Sequence, residues 1–350
     1  MPYSVPSIAR PFTLSIPDDD YSQFRAVLQV TRSGPETWEN QHKDGRYGIP
    51  HQWLTSTRRY WLTDFNCRAQ EDRINALPNF KILVPDETDK ENIDLHFVGL
   101  FSEREDAYPI VLIHGWPGSF LEFMPVLEIV QQKYSPSELP YHFIVPSLPG
   151  YLFSSGPGQA QAYTSQDAAR VINKAMIALG FSRYAVQGGD VGSLIASILA
   201  TNYDSVAAIH LNLLPSLEMP SVDDPSLSSK DKEAIEMGEK FLEWPDDPIG
   251  IDELLTNVTL YWLTDTMPRC IYTYRGTFID SHQYSFPAFR QPFGYSWFMK
   301  ELVPVPQKLA RKHGNLVFYR QHENGGHFAA FERPIEFLHD IEDFMRAAGF

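Results

Sequence analysis

The chain has 350 residues, of which 43% are hydrophobic and 13% aromatic, so it can bury a sizeable core in about two domains or one large domain with an extension. Its formal net charge of −15 disfavours nucleic acid or an anionic membrane as a partner. The charge fits a substrate without strong negative charge, but on charge alone plain solubility is the favoured explanation. Two distant cysteines, Cys67 and Cys270, and the lack of an apolar run of about 18 residues favour a cytoplasmic protein without a membrane anchor.

The first region, residues 1–105, is rich in aromatic residues and irregular, with several short helical patterns. YSQFRAVLQVTR and QWLTSTRRYWLTDF carry apolar residues at helical spacing. The second segment has features of a membrane-surface helix, but Arg58, Arg59 and Asp64 favour a helix that packs on the protein. We therefore expect residues 1–105 to form an N-terminal extension that wraps the core.

From Pro109, strand and helix patterns alternate. PIVLIHGWPGS is an apolar strand that runs into a Gly/Pro turn, and YHFIVPSLPGY repeats this pattern. TSQDAARVINKAMIALG predicts a capped amphipathic helix. RYAVQGGDVGS then leads into a helix at about residues 191–202 and a strand, VAAIHLNLL. This alternation predicts an α/β fold with a mostly parallel sheet and helices on both faces.

The strand patterns fade after Pro215 and return at NLVFYRQHENGGHF, which a final helix follows. An insertion at this point of the chain has the position of a lid over the sheet. We expect residues 106–214 to form the first part of the core, residues 215–297 a short helical lid and residues 298–350 the second part of the core.

The segment AVQGGDVGS, residues 185–193, has the pattern of a nucleophile elbow between a strand and a helix. Glycines on both sides of Asp190 relieve the steric cost of a sharp turn. An ordinary esterase has serine at this tip. A carboxylate is already ionised at neutral pH and needs no base to act as a nucleophile. Alone, the motif fits an ordinary turn aspartate as well as a nucleophile.

Two further motifs occur in the order that such hydrolases require. The HGWPG turn follows an earlier strand and can present a backbone N–H to an oxyanion, with Val191 supplying the second donor. Its alternative is a plain strand-to-loop turn with a core tryptophan. His327, on the glycine loop GGHF, is a candidate general base, although such a histidine alone is more often structural. His322 and Glu323 lack an evident third ligand, so we expect no metal.

A carboxylate between Asp190 and His327 in the chain is expected to orient the histidine. Glu301, in MKELVPVPQK, precedes the histidine by 26 residues (327 − 301). Glu323 and Asp280 are rivals, and sequence spacing does not choose among the three.

Together HGWPGS, GGDVGS, LYWLTDTMPRCIYTYRG, ELVPVPQ and GGHFAAFERP resemble the microsomal-type epoxide hydrolases, especially their soluble fungal members. FNCRAQEDRINALPNFK is similar to the N-terminal domain of that family, so the resemblance covers nearly the whole chain. It implies the α/β-hydrolase fold, a lipophilic epoxide and water as substrates, a vicinal diol as product, and no cofactor.

The resemblance also implies a role for each matching residue. Asp190 is then the nucleophile, His327 the general base and Glu301 its orienting acid, while Trp116 and Val191 supply the oxyanion-hole N–H groups and Tyr274 is a lid tyrosine that hydrogen-bonds the epoxide oxygen.

The lid departs from the family pattern. Between LNLLPS and EKFLEW the family usually carries several dozen more residues, including a second catalytic tyrosine. This chain has no tyrosine between Tyr203 and Tyr261, and Tyr272 need not face the same pocket as Tyr274. A short lid implies reduced activity, an altered substrate range or a monomer in place of a homodimer, or else a mis-spliced or truncated gene product.

Two other functions stay open. A catalytically inert binding protein with the same fold would tolerate a shortened lid. Haloalkane dehalogenation uses the same aspartate and histidine, but those enzymes commonly place a tryptophan directly after the nucleophile, where this chain has Val191.

Overall fold

The structure, a computed structural model, describes residues 3–43, 47–86, 92–158, 162–214, 223, 225, 227–229, 232, 248–274, 288–303 and 305–350. Nine strands lie in this part of the chain and form one sheet. They are β1 (Ala9–Pro11), β2 (Asn79–Val84), β3 (Ile93–Leu100), β4 (Tyr108–Ile113), β5 (Tyr141–Pro146), β6 (Tyr184–Gly188), β7 (Val206–Leu211), β8 (Phe289–Lys300) and β9 (Gly314–Gly326).

The strand order is β1-β2-β3-β5-β4-β6-β7-β8-β9. Strands β4 to β9 pair with one another in parallel. Strands β1, β2 and β3 pair antiparallel at one edge, and β3 pairs antiparallel with β5. Every residue of β5, β6 and β7 is buried, as expected for parallel strands covered on both faces. The predicted α/β fold with a mostly parallel sheet is confirmed, and its topology is that of the α/β-hydrolase fold.

Helices cover this sheet. Among the described residues they are α1 (Asp18–Val30), α2 (His51–Thr63), α3 (Cys67–Asn75), α4 (Met124–Lys133), α5 (Ser165–Ala178), α6 (Asp190–Asn202), α7 (Ile251–Leu263), α8 (Met267–Cys270), α9 (Gln307–Ala310), α10 (Ala329–Glu332) and α11 (Pro334–Ala347). The predicted cap of α5 is present, since the backbone N–H of Thr164 donates to the Asp167 carboxylate at 2.8 Å. No described helix is both long and apolar enough to cross a membrane.

The N-terminal region is less irregular than its sequence indicates. Besides α1 to α3, residues 1–105 contribute β1, β2 and β3 to the same sheet. The sequence analysis expected an irregular extension with several short helices and did not predict strands at residues 79–84 and 93–100. The sequence signal of these strands is weak, because β1 has three residues and Asp94 and His96 interrupt the apolar run of β3.

The sheet also resumes earlier than expected after the lid segment. Strand β8 begins at Phe289, inside the segment expected to be lid up to residue 297. Its sequence, FRQPFGYSWFMK, includes Pro292 and Gly294, and its pairing with β9 shifts register near both residues. These irregularities break the strand pattern. The remaining domain boundaries stay predictions, and most of residues 215–247 and 275–287 lie outside the described residues.

Candidate active site

Asp190 lies where β6 ends and α6 begins, so its side chain stands at the carboxyl edge of the sheet. Its φ of +46° is rare for a residue with a side chain and marks backbone strain. The turn requires glycine at position 192, because a Cβ there would lie only 2.2 Å from the carbonyl oxygen of Ile113. The strand-elbow-helix context predicted from the sequence is present.

The HGWPG turn lies against the same carboxylate. Gly115 permits this approach, because a Cβ at that position would lie 2.3 Å from Cβ of Asp190. The backbone N–H of Trp116 donates to Oδ1 of Asp190 at 2.9 Å. The hydroxyl of Tyr274 donates to the same oxygen. The structure thus brings together Asp190, Trp116 and Tyr274, which are far apart in the sequence.

Val191, the other expected oxyanion donor, is the second residue of α6. Within the described residues its N–H makes no hydrogen bond to the Asp190 carboxylate. N–H groups in the first turn of a helix have no partner inside the helix, so this donor is oriented toward the space at the helix N-terminus.

His327 follows β9 directly and faces two carboxylates. Its Nδ1 lies 2.7 Å from Oε1 of Glu301, and its Nε2 lies 3.3 Å from Oδ2 of Asp190. Because a carboxylate only accepts, Nδ1 carries the hydrogen in the contact with Glu301. Glu301 and His327 are buried, whereas Glu323 is an exposed residue of β9. Asp280 lies outside the described residues.

These contacts set the charges of the site. Burial raises the pKa of Asp190, but hydrogen bonds from His327, Tyr274 and the Trp116 N–H outweigh it and hold the pKa below its ordinary value. Burial lowers the pKa of His327, but the charge of Glu301 and the contacts with both carboxylates raise it well above its ordinary value. Burial and the charge of Asp190 raise the pKa of Tyr274 as well, so its hydroxyl stays protonated.

The neighbouring tyrosines differ from Tyr274. Tyr272 is 43% exposed, whereas the hydroxyl of Tyr274 contacts Asp190. Tyr261 is buried and donates its hydroxyl to the carbonyl of Gly118 at 2.6 Å. The segment in which the family carries its second tyrosine lies outside the described residues for the most part.

Helix α7 holds the HGWPGS turn through contacts that sequence patterns did not indicate. The Asn257 amide nitrogen donates to the Pro117 carbonyl at 2.9 Å, and its oxygen accepts from the Ser119 hydroxyl at 2.8 Å. Because the Tyr261 hydroxyl also donates to the Gly118 carbonyl, residues 117–119 of the turn all hydrogen-bond to this helix. Asn257 stands in a helix of ordinary amphipathic pattern, so only the three-dimensional contacts identify it.

A cavity of about 230 Å³ borders this turn. Its lining is mostly apolar and includes Pro117, Leu121, Leu254, Phe328 and Phe331. Among the described residues, no group of three or more His, Cys, Asp or Glu side chains has the geometry of a metal site. His322 instead contacts Asp340 at 2.6 Å.

The chain is similar to known proteins along nearly its whole length. Residues 9–123 match the family model for the epoxide hydrolase N terminus, and residues 108–254 match the model for the alpha/beta hydrolase fold. The structure of Aspergillus niger epoxide hydrolase superposes with a TM-score of 0.90 and 39% identity over 99% of each chain. Epoxide hydrolase 1 of Sus scrofa is 26% identical over 96% of this chain and 88% of that protein.

A Dothistroma septosporum protein that carries the name epoxide hydrolase is 33% identical to this chain. The alignment covers 97% of this chain and 90% of that protein. That alignment has 379 positions, so at least 29 of them (379 − 350) have no counterpart in this chain. With both domain models matched and relatives aligned along nearly the whole length, the chain belongs to the epoxide hydrolase family.

Proposed function

We propose that this enzyme adds water to a lipophilic epoxide through an ester formed on Asp190. The observation that carries the proposal is the set of contacts to this carboxylate: the Trp116 N–H and the Tyr274 hydroxyl on Oδ1, and His327 facing Oδ2. A proton donor and a base thus lie next to the nucleophilic carboxylate at the edge of the sheet.

In the first half-reaction, the Asp190 carboxylate attacks a ring carbon of the epoxide, and the carbon–oxygen bond of the strained ring breaks. The lowered pKa of Asp190 keeps the carboxylate ionised. Tyr274 donates its proton to the oxygen that leaves as an alkoxide. The products of this step are an alkyl ester on Asp190 and a tyrosinate.

In the second half-reaction, water attacks Cγ of the ester while His327 takes one of its protons. The N–H groups of Trp116 and Val191 stabilise the oxyanion of the tetrahedral intermediate. Esterification removes the charge of Asp190, which is one cause of the raised pKa of His327, so the histidine becomes easier to deprotonate when a base is needed. The bond between Cγ and the ester oxygen then breaks, and this oxygen takes the remaining proton of the attacking water and leaves in the diol. The proton held by His327 returns to the tyrosinate of Tyr274.

Aspartate suits this cycle where serine does not. A serine alkylated by an epoxide becomes an ether, which water does not hydrolyse under these conditions. An aspartyl ester has a carbonyl carbon that an activated water can attack. The apolar cavity beside the turn supports a lipophilic substituent on the epoxide.

Three finer points stay predictions: a short lid, a location in the cytoplasm, and a monomer or homodimer. The alignment positions without a counterpart support a shortened chain, and two buried cysteines that form no disulfide bond support a reducing compartment.

The test compares diol formation from styrene oxide by the native chain and by Asp190→Asn. Asparagine tolerates positive φ, so this variant keeps the fold while losing the nucleophile. We expect diol from the native chain and none above background from the variant. Equal activity in both would overturn the proposal. Tight binding without turnover would instead favour the inert relative, and halide release from a chloroalkane would favour dehalogenation.

A further inference from the structure

Glu122 is a half-buried acid beside the site that the reaction described above does not use. It lies in the short 3₁₀ helix Phe120–Phe123, between the HGWPG turn and α4. Together with Asp190 and His327 it lines a cavity of about 10 Å³. This is the space of about one water molecule, and polar groups of the three side chains surround it.

The position of the Glu122 carboxyl is fixed by its surroundings. A Cβ added to Gly118 would lie 1.4 Å from Oε1 of Glu122, so the carboxyl fills the space that Gly118 leaves above its backbone. The backbone N–H groups of Gly115 and Ser119 donate hydrogen bonds to it. The Glu122 carboxyl therefore keeps this position only when residue 118 is glycine.

The charge state of Glu122 suits a place beside Asp190. Burial raises its pKa to about 8, an effect that the nearby His327 opposes and the charge of Asp190 reinforces. At neutral pH the carboxyl therefore holds a proton for most of the time and does not repel the nucleophile. Its carbonyl oxygen remains a hydrogen-bond acceptor in either state.

We propose that Glu122 is a further catalytic residue, which holds the water that hydrolyses the ester. A water at this place donates one O–H to His327 and the other to the Glu122 carbonyl oxygen, so that a lone pair of its oxygen faces Cγ of Asp190. His327 takes the first proton as the new C–O bond forms, and the second hydrogen stays on the attacking oxygen, hydrogen-bonded to Glu122, whose own protonation does not change. The proposal rests on the ester mechanism described above.

The experiment measures the two half-reactions separately with styrene oxide, by rapid quenching and mass spectrometry of the peptide that contains Asp190. In Glu122→Leu, which lacks the acceptor, we expect ester formation within about threefold of the native rate. Ester hydrolysis should slow by about tenfold or more, the effect of one lost hydrogen bond in a transition state. Glu122→Gln keeps an oxygen acceptor and should restore hydrolysis to within about threefold.

A second variant guards against misfolding of Glu122→Leu. Gly118→Ala leaves the glutamate in place but puts a methyl group into the space of its carboxyl. We expect the same selective loss of ester hydrolysis. Glu128→Gln, on α4 and paired with Arg73 at 2.8 Å, is the matched control and should leave both steps unchanged.

The outcomes separate this proposal from the function on which it rests. If the native chain forms no ester, the ester mechanism fails. If the native chain forms the ester but Glu122→Leu hydrolyses it at the native rate, or loses both half-reactions equally, the role of Glu122 is overturned. Failure of Glu122→Gln to restore hydrolysis also overturns it, because the amide keeps the proposed acceptor.

Discussion

The strained residue Asp190 shows what a short motif can and cannot predict. The glycines of GGDVG predict a sharp turn, and a φ of +46° at Asp190 agrees with that expectation. Chain order alone does not identify the partner of His327, because three carboxylates fit it, and only the family resemblance points to Glu301. The 2.7 Å contact with Glu301 arises from the ends of β8 and β9, which neighbour each other only in the folded sheet.

Glu301→Gln tests whether this carboxylate orients His327. The amide keeps the size of the side chain but loses the charge that stabilises the imidazolium form. We expect ester hydrolysis to slow by about 100-fold or more, measured as accumulation of ester on Asp190. Glu323→Gln, the exposed rival, should have no effect. The opposite ranking of the two variants would transfer the role to Glu323.

Tyr274→Phe tests the proton donor. Without its hydroxyl the departing alkoxide loses one donor, and ring opening should slow by about 100-fold. The rate of ester formation from styrene oxide checks this expectation. Tyr272→Phe, whose hydroxyl belongs to a side chain that is 43% exposed, is the control and should keep the native rate. Equal loss in both variants would mean that the fold, and not the donor, is affected.

At the scale of elements, helix α7 connects the N-terminal helices to the catalytic turn. Arg73 of α3 contacts Glu253 of α7 at 2.9 Å, and Trp61 of α2 donates to Thr259 at 3.0 Å. On its other side, α7 binds the turn through Asn257 and Tyr261. The helix itself follows from apolar periodicity in the sequence. The contacts of α7 with its neighbours cannot be predicted in this way, because no local pattern indicates which residues will hydrogen-bond to its polar side chains.

Asn257→Ala tests this connection. The change removes the contacts to Pro117 and Ser119, so that the Trp116 N–H is held less firmly on Asp190. We expect the rate of ester formation to fall by about tenfold and the free energy of unfolding to fall by about 1–2 kcal/mol. Single-turnover kinetics and urea unfolding measure the two effects. Val258→Ala, at a position that is 41% exposed, should change neither. A native rate of ester formation in Asn257→Ala would contradict the connection.

At the scale of the whole molecule, a polar network around Asp340 connects α11 to strands β8 and β9 at one edge of the sheet. Asp340 is fully buried and contacts the Ser296 hydroxyl of β8, and the Arg320 guanidinium and His322 ring of β9. Burial raises the pKa of Asp340, but the contact with His322 and its other partners lower it below the ordinary 3.8. The ionised carboxylate therefore stabilises the fold.

Asp340→Asn should lower the free energy of unfolding by about 2 kcal/mol near pH 7, because the buried carboxylate loses its charge and with it the strong hydrogen bonds to Arg320, His322 and Ser296. For a lowered pKa this contribution is present above about pH 4 and is lost as the pH falls through the folded value. Urea unfolding at pH 7 and pH 3 should thus show a difference that narrows in acid. Asp343→Asn, at a partly exposed contact of the same arginine, should cost about 1 kcal/mol or less. An equal cost for both variants would contradict the role of burial.

At this scale, the sequence patterns predict the central strands β4 to β7 and the edge strand β9, but not β1 to β3 or the start of β8. Apolar runs and glycine turns identify β4 to β7, because parallel strands are buried on both faces. The antiparallel strands β1 to β3 and the irregular strand β8 lack that signal. Asp190 and Trp116 follow central strands of the sheet, where motifs are clear, while the contacts of Glu122 and Asn257 required the folded structure.

The ester on Asp190 is the central claim, and one measurement tests it most directly: a single turnover with styrene oxide in ¹⁸O-water, followed by mass spectrometry of the peptide that contains Asp190. We predict that diol forms and that one ¹⁸O atom enters the Asp190 carboxylate, because water attacks Cγ and an enzyme oxygen leaves with the product. Label in the diol with none in Asp190 would show direct attack of water on the epoxide and would contradict the ester mechanism.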